Sequence, residues 1–105
     1  MVKLSNKLFK FGNNMLFYYC KACDLAHNAD ITKWTWNGDV YLPSFTPSFV
    51  HHLNNGLICH TVISNGKIHY ANNCSHSLKD KTIDLPDFPD NFDFTKKSNP
   101  IYNRV

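Results

Sequence analysis

Cys20 and Cys23 stand in Cys-x-x-Cys spacing within FYYCKACDLAH, with His27 four positions after the second cysteine. That spacing suits three chemistries. A turn of this kind supplies two of the four tetrahedral ligands of a structural zinc ion. It also forms a redox dithiol where a helix N-terminus follows and lowers the thiol pKa. The third possibility is a pair of free thiols buried in an apolar core, a common place for cysteine. DLAHNAD, which follows Cys23, is too polar and aperiodic for the amphipathic helix a dithiol needs. The metal reading therefore leads.

The chain holds four cysteines, and Cys59 with Cys74 completes a set of four thiolates. The expected cofactor is a structural zinc on Cys20, Cys23, Cys59 and Cys74, with His76 or His27 in place of Cys59 as the rival sets. His60 adjoins Cys59, but neighbouring strand residues point to opposite faces, so the two do not bind one ion together. With three protein ligands and a water in the fourth place, the metal would instead be hydrolytic, and His60 or His76 would be its general base. The chain has no glutamate. That excludes the His-Glu-x-x-His metalloprotease site and the His-x-Glu acid/base of the zinc deaminases. His51 and His52, beside LNNG, read as loop residues, and the scattered aspartates as solvated turn and cap residues.

The elements that must position these side chains read as mostly β. The expected fold is a small single domain, residues 1-90, with two β-hairpins around a zinc knuckle and little helix, followed by a C-terminal tail over 91-105. WTWNGDVYL predicts one hairpin turning at Asn37-Gly38, and LICHTVISNGKIHYANNC a second turning at Asn65-Gly66, because Asn-Gly suits a type I′ turn whose two central residues need positive φ. A two-residue turn at Asn65-Gly66 pairs Ser64 with Lys67, Ile63 with Ile68 and Thr61 with Tyr70. Cys59, Thr61, Ile63, Ile68 and Tyr70 then share one face, and His60, Val62, Lys67 and His69 the other. Pro43 and Pro47 make PSFTPSFV an extended edge segment. A tight turn over 77–81 and a short strand over 82–85 complete the domain.

Composition narrows the function classes. The net charge of +3 is mild and the lysines are dispersed, so nucleic acid is a disfavoured partner. No apolar run reaches the roughly 18 residues that span a bilayer. The N-terminus lacks a secretory signal, which points to a reducing cytoplasm, where Cys-x-x-Cys means metal more often than disulfide. Trp34 and Trp36 share a strand face. They are either core residues or a platform for a partner.

The ordered stretches FGNNMLFYYCKACDLAH, WTWNGDVYLPSFTPSF, CHTVISNGKIHYANNCSHSL and TIDLPDFPD resemble, as a set, an uncharacterised family of small phage and prophage proteins. Some of these carry the label ammonia monooxygenase, which nothing in these residues supports. The resemblance runs from about Phe11 to Asp90. It implies correspondences at Cys20, Cys23 and His27, at Trp36, Asn37, Gly38 and Asp39, at Cys59 and His60, and at Cys74 and His76. It departs at Lys21-Ala22, where a Pro-Gly-like turn is usual. The resemblance implies a phage product made in the cytoplasm of a bacterial host. The expected function is a non-enzymatic, zinc-binding accessory or host-takeover factor that binds a host or phage protein, in an anti-defence role. The alternatives are a small zinc-dependent hydrolase and a virion or morphogenesis component.

Overall fold

The computed structural model describes residues 1–53, 56–95 and 97–98. The strands are β1 (Val2–Lys3), β2 (Phe9–Phe11), β3 (Met15–Cys20), β4 (Leu25–Asp30), β5 (Thr35–Trp36), β6 (Phe45–Thr46), β7 (Phe49–His52), β8 (Ile58–Ser64), β9 (Lys67–Tyr70), β10 (Thr82–Asp84) and β11 (Lys97–Ser98). They form three small sheets, in the orders β1-β2-β3-β4-β11, β10-β9-β8-β7 and β5-β6. Pairing is antiparallel except where β11 runs parallel to β4. None of the described residues is helical. No helix among them is long and apolar enough to cross a membrane. The expected mostly-β single domain is what forms.

The first sheet holds a hairpin absent from the sequence reading. β3 and β4 pair from Met15↔Asp30 to Cys20↔Leu25, so residues 21–24, which include Cys23, form the hairpin loop. Asp24 closes it at φ 52°, a conformation aspartate tolerates better than most residues. β4 is the LAHNAD stretch. It escapes a period-2 reading because Ala26, His27, Asn28 and Ala29 are all buried, as happens in a strand covered on both faces.

The second sheet follows the expected register. Ser64↔Lys67, Ile63↔Ile68 and Thr61↔Tyr70 pair across β8 and β9, and Asn65 and Gly66 turn at φ 51° and 74°. Cys59, Thr61, Ile63, Ile68 and Tyr70 are all buried. The other strand neighbour of β8 is β7, in the register Val50↔His60 and His51↔Cys59. His51 and His52 are therefore strand residues, and His51 is fully buried. The loop reading fails because the turn signal in LNNG begins one residue later, after β7 has ended.

The expected two-residue turn at Asn37-Gly38 does not form. β5 pairs with β6 across a wide loop, Thr35↔Thr46 and Trp36↔Phe45. Asp39 organises that loop: its carboxylate accepts from the Tyr41 and Leu42 amides at 2.8 and 2.9 Å, an Asx-type arrangement that competes with a tight hairpin.

Two apolar clusters support the sheets. The larger includes Leu16, Tyr18, Cys20, Phe49, Cys59, Ile63, Ile68, Tyr70 and Leu85. Trp34 belongs to it, stacked on Phe49 at 4.9 Å, and half-buried Trp36 stacks on Phe45 at 6.4 Å. The smaller joins Phe17, Ala26 and Phe88 with Phe9, Tyr19, Phe92 and Phe94. Phe92 and Phe94 fall in the stretch read as a tail, and their rings pack on Phe88 at 5.3 and 5.2 Å. Residues 96 and 99–105 of that stretch lie outside the described residues.

Candidate active site and metal cluster

β8 carries chemistry on both faces. Its inward Cys59 reaches the N-terminal sheet, and its outward His60 meets two polar side chains. Ser48 stands immediately before β7, and the pairing of Val50 with His60 brings the serine beside the imidazole. Ser48 Oγ lies 3.0 Å from His60 Nε2, and His60 Nδ1 lies 3.0 Å from Asn73 Oδ1. An amide oxygen only accepts, so Nδ1 carries the ring proton and Nε2 is left to accept from the serine hydroxyl. Ser48 is fixed from behind as well: its carbonyl accepts from Trp34 Nε1 at 3.3 Å.

Asn73 reaches His60 through a four-residue turn. Ala71 donates its N–H to the His60 carbonyl at 2.9 Å, and Cys74 N–H then closes the turn on the Ala71 carbonyl at 3.2 Å. Asn73 is placed at the edge of the imidazole, and the Cys74 thiol folds back onto the His60 main chain. The His60 N–H donates to Cys74 Sγ at 3.2 Å, and the thiol lies 3.1 Å from the His60 carbonyl. Burial pushes the Cys74 thiol up, which keeps the proton needed for that second bond.

The metal-ligand candidates divide into two groups. Cys20, Cys23, His27 and Cys59 place one ligand atom each within 4.8 Å of one another, and Cys59, Cys74 and His76 do the same. Cys20 Sγ and Cys59 Sγ are 3.8 Å apart, about the edge of a tetrahedron drawn by zinc–sulfur bonds of about 2.3 Å. His76 Nε2 sits 3.4 Å from Cys59 Sγ. The four cysteines form no disulfide. Hydrogen bonding from Cys23, and next from Cys59, holds the Cys20 thiol far below its usual range. Contact with Cys20 pushes Cys23 up to about 12 and raises Cys59 as well. Sulfurs this close disfavour one another's ionisation, and a cation among them would favour the thiolate forms.

The cluster continues into a buried polar network. His27 stacks on His51 at 3.6 Å between centroids, His51 Nε2 lies 2.9 Å from the Tyr18 hydroxyl, and that hydroxyl lies 3.2 Å from Thr61 Oγ1. Tyr70 Oη approaches Cys20 Sγ at 3.3 Å.

The structure therefore gathers Cys20, Cys23 and Cys59 with His27, and puts Cys74 and His76 in the second group with Cys59. The His60 main chain contacts the Cys74 thiol of the second group, but its side chain belongs to neither group and meets Ser48 and Asn73. Neither of these partners was singled out in the sequence. TPSF contains no local signature of a nucleophile, and the one usable signal, His60 on an outward strand face, names a base without its serine.

A family model described as bacterial ubiquitination-like system serine protease (BubE) matches residues 3–71, more than half of the 105-residue chain. The chain belongs to the BubE family. It matches no curated protein and no solved structure. The stretch shared with the BubE family contains Cys20, Cys23, His27, Ser48, Cys59 and His60, and it ends two residues before Asn73.

Proposed function

We propose that the protein is a serine hydrolase that cleaves amide bonds, with Ser48 as nucleophile, His60 as general base and then acid, and Asn73 as the group that orients the imidazole. The supporting observation is the relay Ser48 Oγ, His60 Nε2, His60 Nδ1, Asn73 Oδ1, with 3.0 Å at each step between side chains. Nucleophile, base and orienter in hydrogen-bond reach are what activate a hydroxyl that is otherwise weak at neutral pH. Asparagine serves as the third member in the Cys-His-Asn arrangement of papain-like proteases. The BubE description names the same nucleophile type and suggests the substrate class, a protein processed or conjugated in a ubiquitination-like system.

The chemistry balances as acyl transfer. Ser48 Oγ attacks the carbonyl carbon while His60 Nε2 takes its proton. The imidazolium returns that proton to the departing amine as the C–N bond breaks, leaving an ester on Ser48. Water attacks the ester carbonyl, its proton passes through Nε2 to Ser48 Oγ, and the acid product leaves.

In this reading the cluster of Cys20, Cys23, His27 and Cys59 holds a structural zinc. Four protein ligands leave no coordination position for a water, so the metal takes no part in hydrolysis. Metal analysis is expected to find about one zinc per chain, lost in Cys20→Ser and His27→Ala and retained in His76→Ala.

The activity is tested with a ubiquitin-like protein carrying a fluorogenic amide at its C-terminus. The wild type is expected to release the fluorophore, and Ser48→Ala and His60→Ala to lower kcat by about 10³-fold or more. Undiminished turnover by Ser48→Ala would rule the reading out.

A further inference from the structure

The Cys74 thiol is set against the main chain of one residue, and that residue is the proposed base. Its sulfur accepts the His60 N–H at 3.2 Å and lies 3.1 Å from the His60 carbonyl. The residue before it, Asn73, holds the His60 ring at 3.0 Å. One turn, closed by Cys74 N–H on the Ala71 carbonyl at 3.2 Å, therefore grips His60 twice, by ring and by backbone. At this point of the sheet β9 has already ended at Tyr70, and the thiol supplies a partner to the His60 N–H where the regular ladder has stopped. Cys74 is only 5% exposed, so water is a poor substitute for it, and a buried N–H without a partner is costly.

We propose that Cys74 is a positioning residue for His60. Its thiol fixes the main chain of the base at the end of the β8–β9 ladder, and so fixes the distance from Nε2 to Ser48 Oγ. The inference rests on the serine hydrolase reading above. It assigns Cys74 to the catalytic relay through His60 and leaves the zinc to Cys20, Cys23, His27 and Cys59. The relay tolerates little backbone drift, since a misplacement of about 1 Å costs about 10²-fold in rate.

The test measures the rate at which a fluorophosphonate probe labels Ser48, together with zinc content, in wild type, Cys74→Ala, Cys74→Ser and Ser48→Ala. Serine keeps a donor and an acceptor at the site, and alanine keeps neither. Labelling is expected to fall about 10- to 100-fold in Cys74→Ala and to recover to within about threefold of wild type in Cys74→Ser, with zinc content unchanged in both. A zinc-loaded, folded Cys74→Ala that labels at the wild-type rate overturns the proposal. Loss of zinc in both Cys74 variants also overturns it, by making Cys74 a metal ligand. Should Cys74→Ala fail to fold, Cys74→Ser decides alone: a folded, zinc-loaded serine variant slowed more than 10-fold counts against the proposal, and near-wild-type labelling supports it. Wild type that labels no better than Ser48→Ala brings down the serine hydrolase reading itself, and this inference with it. Normal wild-type labelling with an unaffected Cys74→Ala brings down this inference alone.

Discussion

Asn73 is neutral, so it can orient the His60 ring and fix its tautomer without offsetting the charge that the imidazolium gains during acyl transfer. Its contribution is therefore geometric. Asn73→Ala is expected to lower kcat by about 10²-fold with KM little changed, as read from steady-state kinetics on the fluorogenic substrate. Asn73→Asp keeps the acceptor at Nδ1 and should restore most of that loss; a variant as slow as the alanine would argue against orientation as the role. At this scale the sequence was partly legible. His60 could be singled out because it alternates with the apolar face of a hairpin whose register was readable. Ser48 and Asn73 reach it through the β7–β8 pairing and the turn after Tyr70, and both of those contacts are tertiary. The metal set shows the same division. Cys20, Cys23 and Cys59 cluster with His27, which the buried strand β4 brings in, while the 71–74 turn sets the Cys74 sulfur against the His60 backbone and still beside Cys59 and His76.

Among the elements, the β8–β9 hairpin was the most legible, because Asn65-Gly66 demands positive φ at both positions and the flanking residues alternate cleanly. Gly66 is also the tightest glycine. A Cβ there would lie 2.7 Å from Leu42 Cδ2 and 3.1 Å from Leu42 Cα, at a φ of 74°. Gly66 N–H donates to the Pro43 carbonyl at 3.0 Å and its carbonyl accepts from Leu85 at 2.8 Å, so the tip cannot swing away without losing both bonds. Gly66→Ala is expected to cost about 2 to 3 kcal/mol. Gly38→Ala, at φ 81° with open space around it, should cost only about 1 kcal/mol. Urea denaturation of the two variants makes the comparison, and equal costs would show that the Leu42 contact is immaterial. The β3–β4 hairpin was illegible for the opposite reason. A strand buried on both faces loses the alternation that marks a strand, and His27 and Asn28 look like solvent-facing residues until packing covers both faces of β4, with His51 of the second sheet stacked on His27.

For the whole molecule, the cysteine cluster is the stitch between two sheets. Cys20 ends β3, Cys23 sits in the loop after it and His27 lies on β4, all in the first sheet, whereas Cys59 comes from β8 in the second. An ion at this point would tie segments that are distant in sequence, and its binding energy would appear as folding energy. Removing zinc with a strong chelator is expected to lower Tm by at least about 10 °C, with differential scanning calorimetry as the measurement and no shift as the contrary result. The second cluster secures the opposite face of the first sheet. Phe88, 9% exposed, packs on Phe9 at 5.0 Å and on Tyr19 at 5.9 Å, and Phe88→Ala should cost about 3 kcal/mol. Composition and hairpin signals were enough to read a mostly-β domain. How the two sheets stack, and therefore which residues meet between and beside them, depends on packing that no local pattern records.

The central claim is that Ser48 is a nucleophile activated by His60. The most direct test is mass spectrometry of the protein after reaction with a fluorophosphonate probe, with the adduct located by peptide mapping. A single phosphonylated residue at Ser48, absent in His60→Ala, is the predicted result. An unmodified Ser48, or equal modification with and without His60, would contradict it.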